Sequence, residues 1–407
     1  CGQNRHGPCQ QQASAGGILI QSWLRHFSYD EAQLRDDTSM ANVLVLGAGM
    51  MGSAFCFPLC DRRHSVRLVG THLDAEIVHS IRSSGVHPKL NVKLPGELRA
   101  FPIEELETAL HDVDAIVLGV SSAGVHWAAQ QLSPHLCRTD TPVAMISKGL
   151  AFDGEQLITL PDAFARALPP PAAARVQPVG VAGPCIAGEL ARRVPTCAVF
   201  VSRSADSRRT FADLCEAPYY KVFTRPDVVG VEACAALKNA YAMGVALGTG
   251  IHLANGGEPG SVAFHNYESA VFAQAIWEMQ RVIRHMGGDP AQASWLPGVG
   301  DLDVTCNGGR TGRFGQLLGT GLGPREAQDR MSGATLECLE ILAVLRIALA
   351  HFRSRSTTPG EFVGDAERVS GGAIEALPLL EHLAEIALDG KQVHMPFESF
   401  FGGSDRL

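Results

Sequence analysis

The sequence predicts an α/β protein in which a doubly wound sheet domain is followed by an all-helical C-terminal domain. Three observations predict this. A glycine-rich turn, Gly47-Ala48-Gly49-Met50-Met51-Gly52, directly follows the apolar run Val43–Leu46. From residue 42 to about 225, short β-rich runs alternate with helical patterns. Beyond about residue 226 the strand-like runs stop and Ala-rich helical patterns take over.

The expected strands are Val43–Leu46, Val66–Val69, Ala115–Val120, Val143–Ile146, Val179–Ala182 and Ala198–Val201. Such short β-rich runs between helical patterns suit a parallel sheet covered by helices on both faces. Gly119-Val120-Ser121-Ser122 closes one run at the carboxyl edge, where ligands bind in open α/β sheets. Helices are expected over Val228–Gly250, Tyr267–His285 and Gly333–Ala350. The division that follows is an extension outside the fold at 1–40, a sheet domain at 41–226 and a helical domain at 227–400. Residues 353–372, rich in Ser, Thr, Gly and charge, read as a loop or insertion. The extension contains Asp30, Glu31, Asp36 and Asp37, acids that a transit peptide avoids.

A chain of 407 residues exceeds a single small domain. Its net charge of −8 argues against a general nucleic-acid surface and leaves room for a local basic pocket. No run of 18 apolar residues is present, so no membrane span is expected. The 11 cysteines form no CxxC pair, and Cys56 and Cys60 have no accompanying His cluster. Reduced thiols in a cytoplasmic protein fit this pattern better than disulfides or metal. His64, His72, His111 and His126 are singletons, expected on the surface, and no metal site is expected.

Gly47-x-Gly49-x-x-Gly52 after a strand and before a helix is the fingerprint of a Rossmann-type dinucleotide site. The first glycine permits the tight turn, the second lets the backbone approach a pyrophosphate, and the third lets the helix pack close to the sheet. The free N–H groups of the helix start face the anion. These residues point to a nicotinamide-dependent oxidoreductase. The second strand ends at Gly70-Thr71-His72 without an acid; Asp74 comes late and Arg67 lies inside the strand, so NAD and NADP both remain open.

Four further segments carry chemistry: Ile146-Ser147-Lys148-Gly149, Ala182-Gly183-Pro184-Cys185-Ile186-Ala187-Gly188-Glu189, Glu232-Ala233-Cys234-Ala235-Ala236-Leu237-Lys238-Asn239-Ala240, and Gly300-Asp301-Leu302-Asp303-Val304-Thr305-Cys306 leading to Gly308-Gly309-Arg310. With the glycine turn they stand in the order of the NAD(P)-dependent sn-glycerol-3-phosphate dehydrogenases, a family that the chain resembles over roughly residues 41 to 340. The resemblance implies interconversion of dihydroxyacetone phosphate and sn-glycerol 3-phosphate by hydride transfer, a link between carbohydrate and glycerophospholipid metabolism. It implies Lys238 as the principal catalytic residue, with Lys148 and Asp301 beside it. Substrate would meet Lys148, Gly183, Asn239, Asp301, Thr305, Arg310 and Thr311. Cofactor would meet Gly47, Gly49, Met50, Met51, Gly52, Lys148, Ala187, Arg310 and Glu337, with Thr335 near the nicotinamide ribose. By analogy, the helical domain is expected to form a homodimer.

A Lys among Ala235, Ala236, Leu237 and Ala240 needs a partner, because an unpaired buried ammonium is costly. Asp301 is placed to supply it, with a helix N-cap after Gly300 as its competing role. Arg310 suits a phosphate because its guanidinium fork donates two parallel hydrogen bonds, and it is expected on a mobile loop. Against the family pattern, Met51 replaces a Trp, Thr311 an Asn and Thr249 an Asp, and Cys185 stands where Ser, Thr or Asn is common. These departures leave open a related phosphorylated polyol as substrate. The alternative functions are a dehydrogenase of the 6-phosphogluconate, hydroxy-acid or ketopantoate reductase type, and a dinucleotide-binding regulator without catalysis.

Overall fold

The computed structural model describes residues 39–261, 264–307, 309–331, 335–355 and 374–401. Residues 1–38 of the expected extension, residues 356–372 of the expected insertion, Gly308 and Gly333 lie outside the described residues. Ser39–Leu407 gather into one compact unit.

Its centre is an 8-stranded sheet. The strands are β1 (Asn42–Leu46), β2 (Ser65–Val69), β3 (Arg99–Phe101), β4 (Ala115–Leu118), β5 (Val143–Met145), β6 (Val179–Ala182), β7 (Thr196–Val201) and β8 (Tyr220–Arg225). They lie side by side in the order β8-β7-β6-β5-β4-β1-β2-β3. All neighbours run parallel except β6 and β7, which are antiparallel. The exception has a simple cause: the Thr196 hydroxyl donates to the Pro184 carbonyl, so β7 starts at the edge where β6 has just ended. The chain makes no crossover there, and parallel pairing requires one.

β3 and β8 were not expected from the sequence. Both lie at the rim of the sheet, and in β8 only Tyr220 is buried while Lys221, Phe223, Thr224 and Arg225 are exposed. Edge strands with solvated residues lack the continuous apolar run that marks the central ones. Val43–Leu46 and Ala115–Leu118 are wholly buried. Leu44 and Leu46 share a core with the helix α2 (Val125–Leu136) on one face. On α1 (Met50–Asp61), Phe55 meets Phe200 of β7 and Tyr220 of β8. His64, expected on the surface, is buried: its Nδ1 accepts the Ala41 N–H at 3.2 Å and ties the α1–β2 turn to the start of β1.

After β8 the described chain is helical. α3 (Val228–Ala254) starts where the Asp227 carboxylate accepts the Gly230 N–H at 2.9 Å. It is enclosed along nearly its whole length, the condition of a helix that is apolar all round. Around it stand α4 (His265–His285), α5 (Asp301–Cys306), α6 (Gly309–Gly319), α7 (Glu337–Arg355) and α8 (Pro378–Asp389). The short helices α5, α6 and α8 were not singled out from the sequence, and Arg353–Arg355 belong to α7 rather than to an insertion. Among the described residues, no helix is long and apolar enough to cross a membrane.

Candidate active site

The glycine turn is built from backbone. Gly47 has φ +113°, and its N–H donates to the Val69 carbonyl at 2.8 Å, which locks the turn to β2. A methyl group on Gly47 would lie 2.7 Å from the Gly119 carbonyl carbon, and one on Gly52 would lie 2.2 Å from the Gly47 carbonyl oxygen. A methyl on Gly49 would meet nothing within 4 Å. Gly47 and Gly52 therefore bring backbones together, while Gly49 opens onto free space. Gly49 places no side chain on the amides that begin α1, leaving them for an anion.

Two side chains hold Ala48 in this turn. Leu90 N–H donates to His87 Nδ1 at 3.1 Å, which leaves the proton on Nε2 to bond the Ala48 carbonyl at 3.0 Å. The Asp74 carboxylate accepts from the Ala48 N–H at 3.2 Å and from the Thr71 N–H at 2.9 Å. Arg67 is spent on the carbonyls of Ala109, at 2.8 Å, and His111. Its guanidinium is thus committed to the connection that leads into β4.

The charged centre is built from distant elements. Lys148 follows β5, Lys238 lies within α3 and Asp301 opens α5. Asp301 is fully buried. Its Oδ2 accepts from Lys148 Nζ at 2.6 Å and its Oδ1 from Lys238 Nζ. The carboxylate is thereby used up on the lysines, and no side-chain bond caps its own helix. Burial pulls Lys238 down to about 8, against the pull of Asp301 and with help from the charge of Lys148. At Lys148 burial also opposes the charge, but the attraction and hydrogen bond of Asp301 win and its pKa is raised. One carboxylate thus serves two ammoniums, and the more deeply placed one gives up its proton more readily.

A cleft of about 370 Å³ joins the two constructions. It brings together Gly49, Met50 and Met51 of the turn with Lys148, Gly183, Ala187, Lys238, Asn239, Asp301 and Thr305. Arg310, Thr311, Thr335 and Glu337 line it as well. Gly47 and Gly52 do not line it; they shape the turn from behind. Arg310 stands in the first turn of α6 and not on a loop, and its guanidinium bonds the Glu337 carboxylate at 2.5 Å. The Thr305 hydroxyl donates to the Asp301 carbonyl at 2.6 Å, keeping its side chain against the helix. Ser121, Ser122 and Cys185 also line the cleft, and the Ser122 hydroxyl donates to Glu340 of α7. Ser121 and Ser122 end the run that the sequence placed at the ligand edge, though they were not named as site residues, whereas Cys185 was visible as a departure inside a recognised motif. The described cysteines are all free, and the described residues include no cluster able to hold a metal ion.

Comparison with known proteins identifies the family. The pattern described as NAD-dependent glycerol-3-phosphate dehydrogenase N-terminus matches residues 42–208, and the corresponding C-terminus matches residues 227–354. The chain belongs to the NAD-dependent glycerol-3-phosphate dehydrogenase family. Within it, the chain is 38% identical over 289 residues to the NADP(+)-dependent glycerol-3-phosphate dehydrogenase of Archaeoglobus fulgidus, covering 71% of this chain and 83% of that one. It is 30% identical over 299 residues to the glycerol-3-phosphate dehydrogenase [NAD(P)+] of Shouchella clausii, covering 72% and 82%. The crystal structure of glycerol-3-phosphate dehydrogenase from Coxiella burnetii superimposes with a TM-score of 0.72 at 25% identity, covering 90% of this chain and 99% of that one. The mostly parallel sheet followed by helices is thus the fold of this dehydrogenase family.

Proposed function

We propose that the protein interconverts dihydroxyacetone phosphate and sn-glycerol 3-phosphate with NAD(P)(H), through the residues of this cleft. The observation that carries the reading is Asp301 bridging Lys148 and Lys238 in the same cleft as the open Gly49 turn and Arg310. The turn fits a dinucleotide, since free space at Gly49 meets uncapped helix amides there. The nicotinamide supplies or accepts the hydride when bound.

Lys238 donates a proton to the carbonyl oxygen of the ketone during reduction and takes it back in oxidation. An acid with its pKa lowered to about 8 is well matched to proton transfer near neutral pH. Lys148 stays charged and polarises the same oxygen. Asp301 fixes both ammoniums, and Asn239 and Thr305 offer hydrogen bonds to the substrate hydroxyls. Arg310 grips the phosphate with its fork and releases Glu337 toward the cofactor, while Gly183 and Ala187 form the wall and Thr311 supports the Arg310 turn. Glu337 pairs with Arg310, so a phosphate must displace a carboxylate there, and a dianion with three acceptor oxygens does this readily.

Steady-state turnover of dihydroxyacetone phosphate with NADH and with NADPH tests the proposal, and absence of turnover with either would sink it. Titration of each reduced cofactor then sets the preference. We infer a homodimer acting in the cytoplasm; light scattering on the purified protein giving a monomer mass would reject the dimer.

A further inference from the structure

Glu232 lies in α3, earlier than Lys238 on the same helix, and is only 1% exposed. Neither of its carboxylate oxygens has a hydrogen-bond partner. The carboxyl occupies a niche that exists because residue 180 is glycine: a methyl on Gly180 would lie 2.1 Å from Glu232 Oε1. Gly180 pairs with Met145 of β5, the strand that delivers Lys148. The next three residues, Val181 and Ala182 of β6 and then Gly183, line the catalytic cleft. An orphan carboxyl in such a place is expensive, and a Leu or Met of similar volume would cost the fold far less.

We propose that Glu232 is a positioning residue for the reaction at Lys238: a buried carboxyl whose proton governs how much charge the Lys148–Asp301–Lys238 cluster carries. The inference rests on the proposed function of that cluster. Lys148 and Asp162 are the charged groups acting on Glu232, with Lys148 favouring its anion and Asp162 opposing it. Around Lys238 stand Asp301 and Lys148, with the Cys185 thiol sharing their field. With Glu232 protonated, two ammoniums share one carboxylate and Lys238 is pressed to release its proton. With Glu232 ionised, a second buried anion holds protons on the lysines. Burial pushes Glu232 up to about 8, the range in which Lys238 titrates, so the loss of one proton opposes the loss of the other.

Glu232→Gln keeps the shape of the neutral carboxyl and removes the anion. The test compares parent and variant in the pH dependence of kcat/KM for dihydroxyacetone phosphate reduction. It also compares competitive acetylation of Lys238 by trace acetic anhydride, read by mass spectrometry, which reports the free-amine midpoint without substrate. The variant is expected to keep its rate at neutral pH within about threefold. Its alkaline midpoint, in both measurements, is expected to move down by at least about half a unit, because no anion forms to hold the proton. Thermal stability provides a further readout. A carboxyl that binds its proton more tightly folded than unfolded loses the fold stability as pH rises from 4.5 toward about 8, so Glu232→Gln is expected to melt no lower than the parent at neutral pH. Superimposable Lys238 labelling curves would overturn the proposal, as would a uniform loss of rate with the midpoint kept. If the parent itself failed to turn over the ketone, the labelling curves would still decide the role of Glu232, separately from the substrate.

Discussion

The glycine turn and the lysine cluster face the same cleft and are made in opposite ways. The turn is local: Gly47, Gly49 and Gly52 fall within one βα connection, and its work is done by backbone groups and by the lack of side chains. The cluster is non-local: Lys148, Lys238 and Asp301 come from a strand end, a buried helix and a short helix, and it is built from charges held against a buried carboxylate. The difference teaches which failures to expect. A change in the turn acts through close packing and so affects binding and folding together. A change in the cluster acts through protonation and so affects the rate while leaving the scaffold in place.

The sharpest test is Lys238→Ala. A positioned acid–base group contributes ~10²–10⁴-fold, so kcat is expected to fall by that much with the dissociation constant for reduced cofactor unchanged. Cofactor binding that fell in parallel would erase the distinction. Next comes Arg310→Lys, which keeps charge and loses the fork; KM for the phosphorylated substrate is expected to rise roughly tenfold or more at little cost to melting temperature. Gly52→Ala probes the other construction. Its methyl must displace the Gly47 carbonyl from 2.2 Å, so cofactor affinity should drop and the protein should lose roughly 1–3 kcal/mol by denaturant titration. A Gly52→Ala protein that bound cofactor like the parent would break the comparison. The smallest effect is the pH dependence of the parent. Reduction needs the Lys238 proton, so its kcat/KM should decline as pH rises through about 8, while oxidation should rise over the same range.

Much of the sheet was legible because central parallel strands are apolar on both faces, and Val43–Leu46 and Ala115–Leu118 are of that kind. The rim strands were not, because Arg99–Phe101 is only 3 residues long and has no buried residue, and Tyr220–Arg225 buries only Tyr220. The helix α5 is only 6 residues long, too short for a periodic pattern to declare itself. Within the cleft, residues embedded in motifs were found: Lys148, Lys238, Asp301 and Arg310 all stand in short runs of unusual composition. Glu232 and His87 were passed over as site residues. A Glu next to Ala233 and Cys234 reads in sequence like any helical acid, and a His before Pro88 reads like a loop residue; only burial and contact give them roles.

By itself the sequence determined the fold class and the glycine turn, and it named the groups proposed to move a proton or grip a phosphate. It could do so because strand apolarity, turn geometry and residue chemistry are local properties. The tertiary structure alone decided that a single carboxylate is divided between two lysines, that Gly47 and Gly52 serve the turn from behind while Gly49 faces the cleft, that Arg310 rests on Glu337, and that the helix carrying Lys238 also buries an orphan carboxyl. Those are facts about distance and desolvation between residues far apart in the chain, and the proton affinities of Lys148 and Lys238 are set by both.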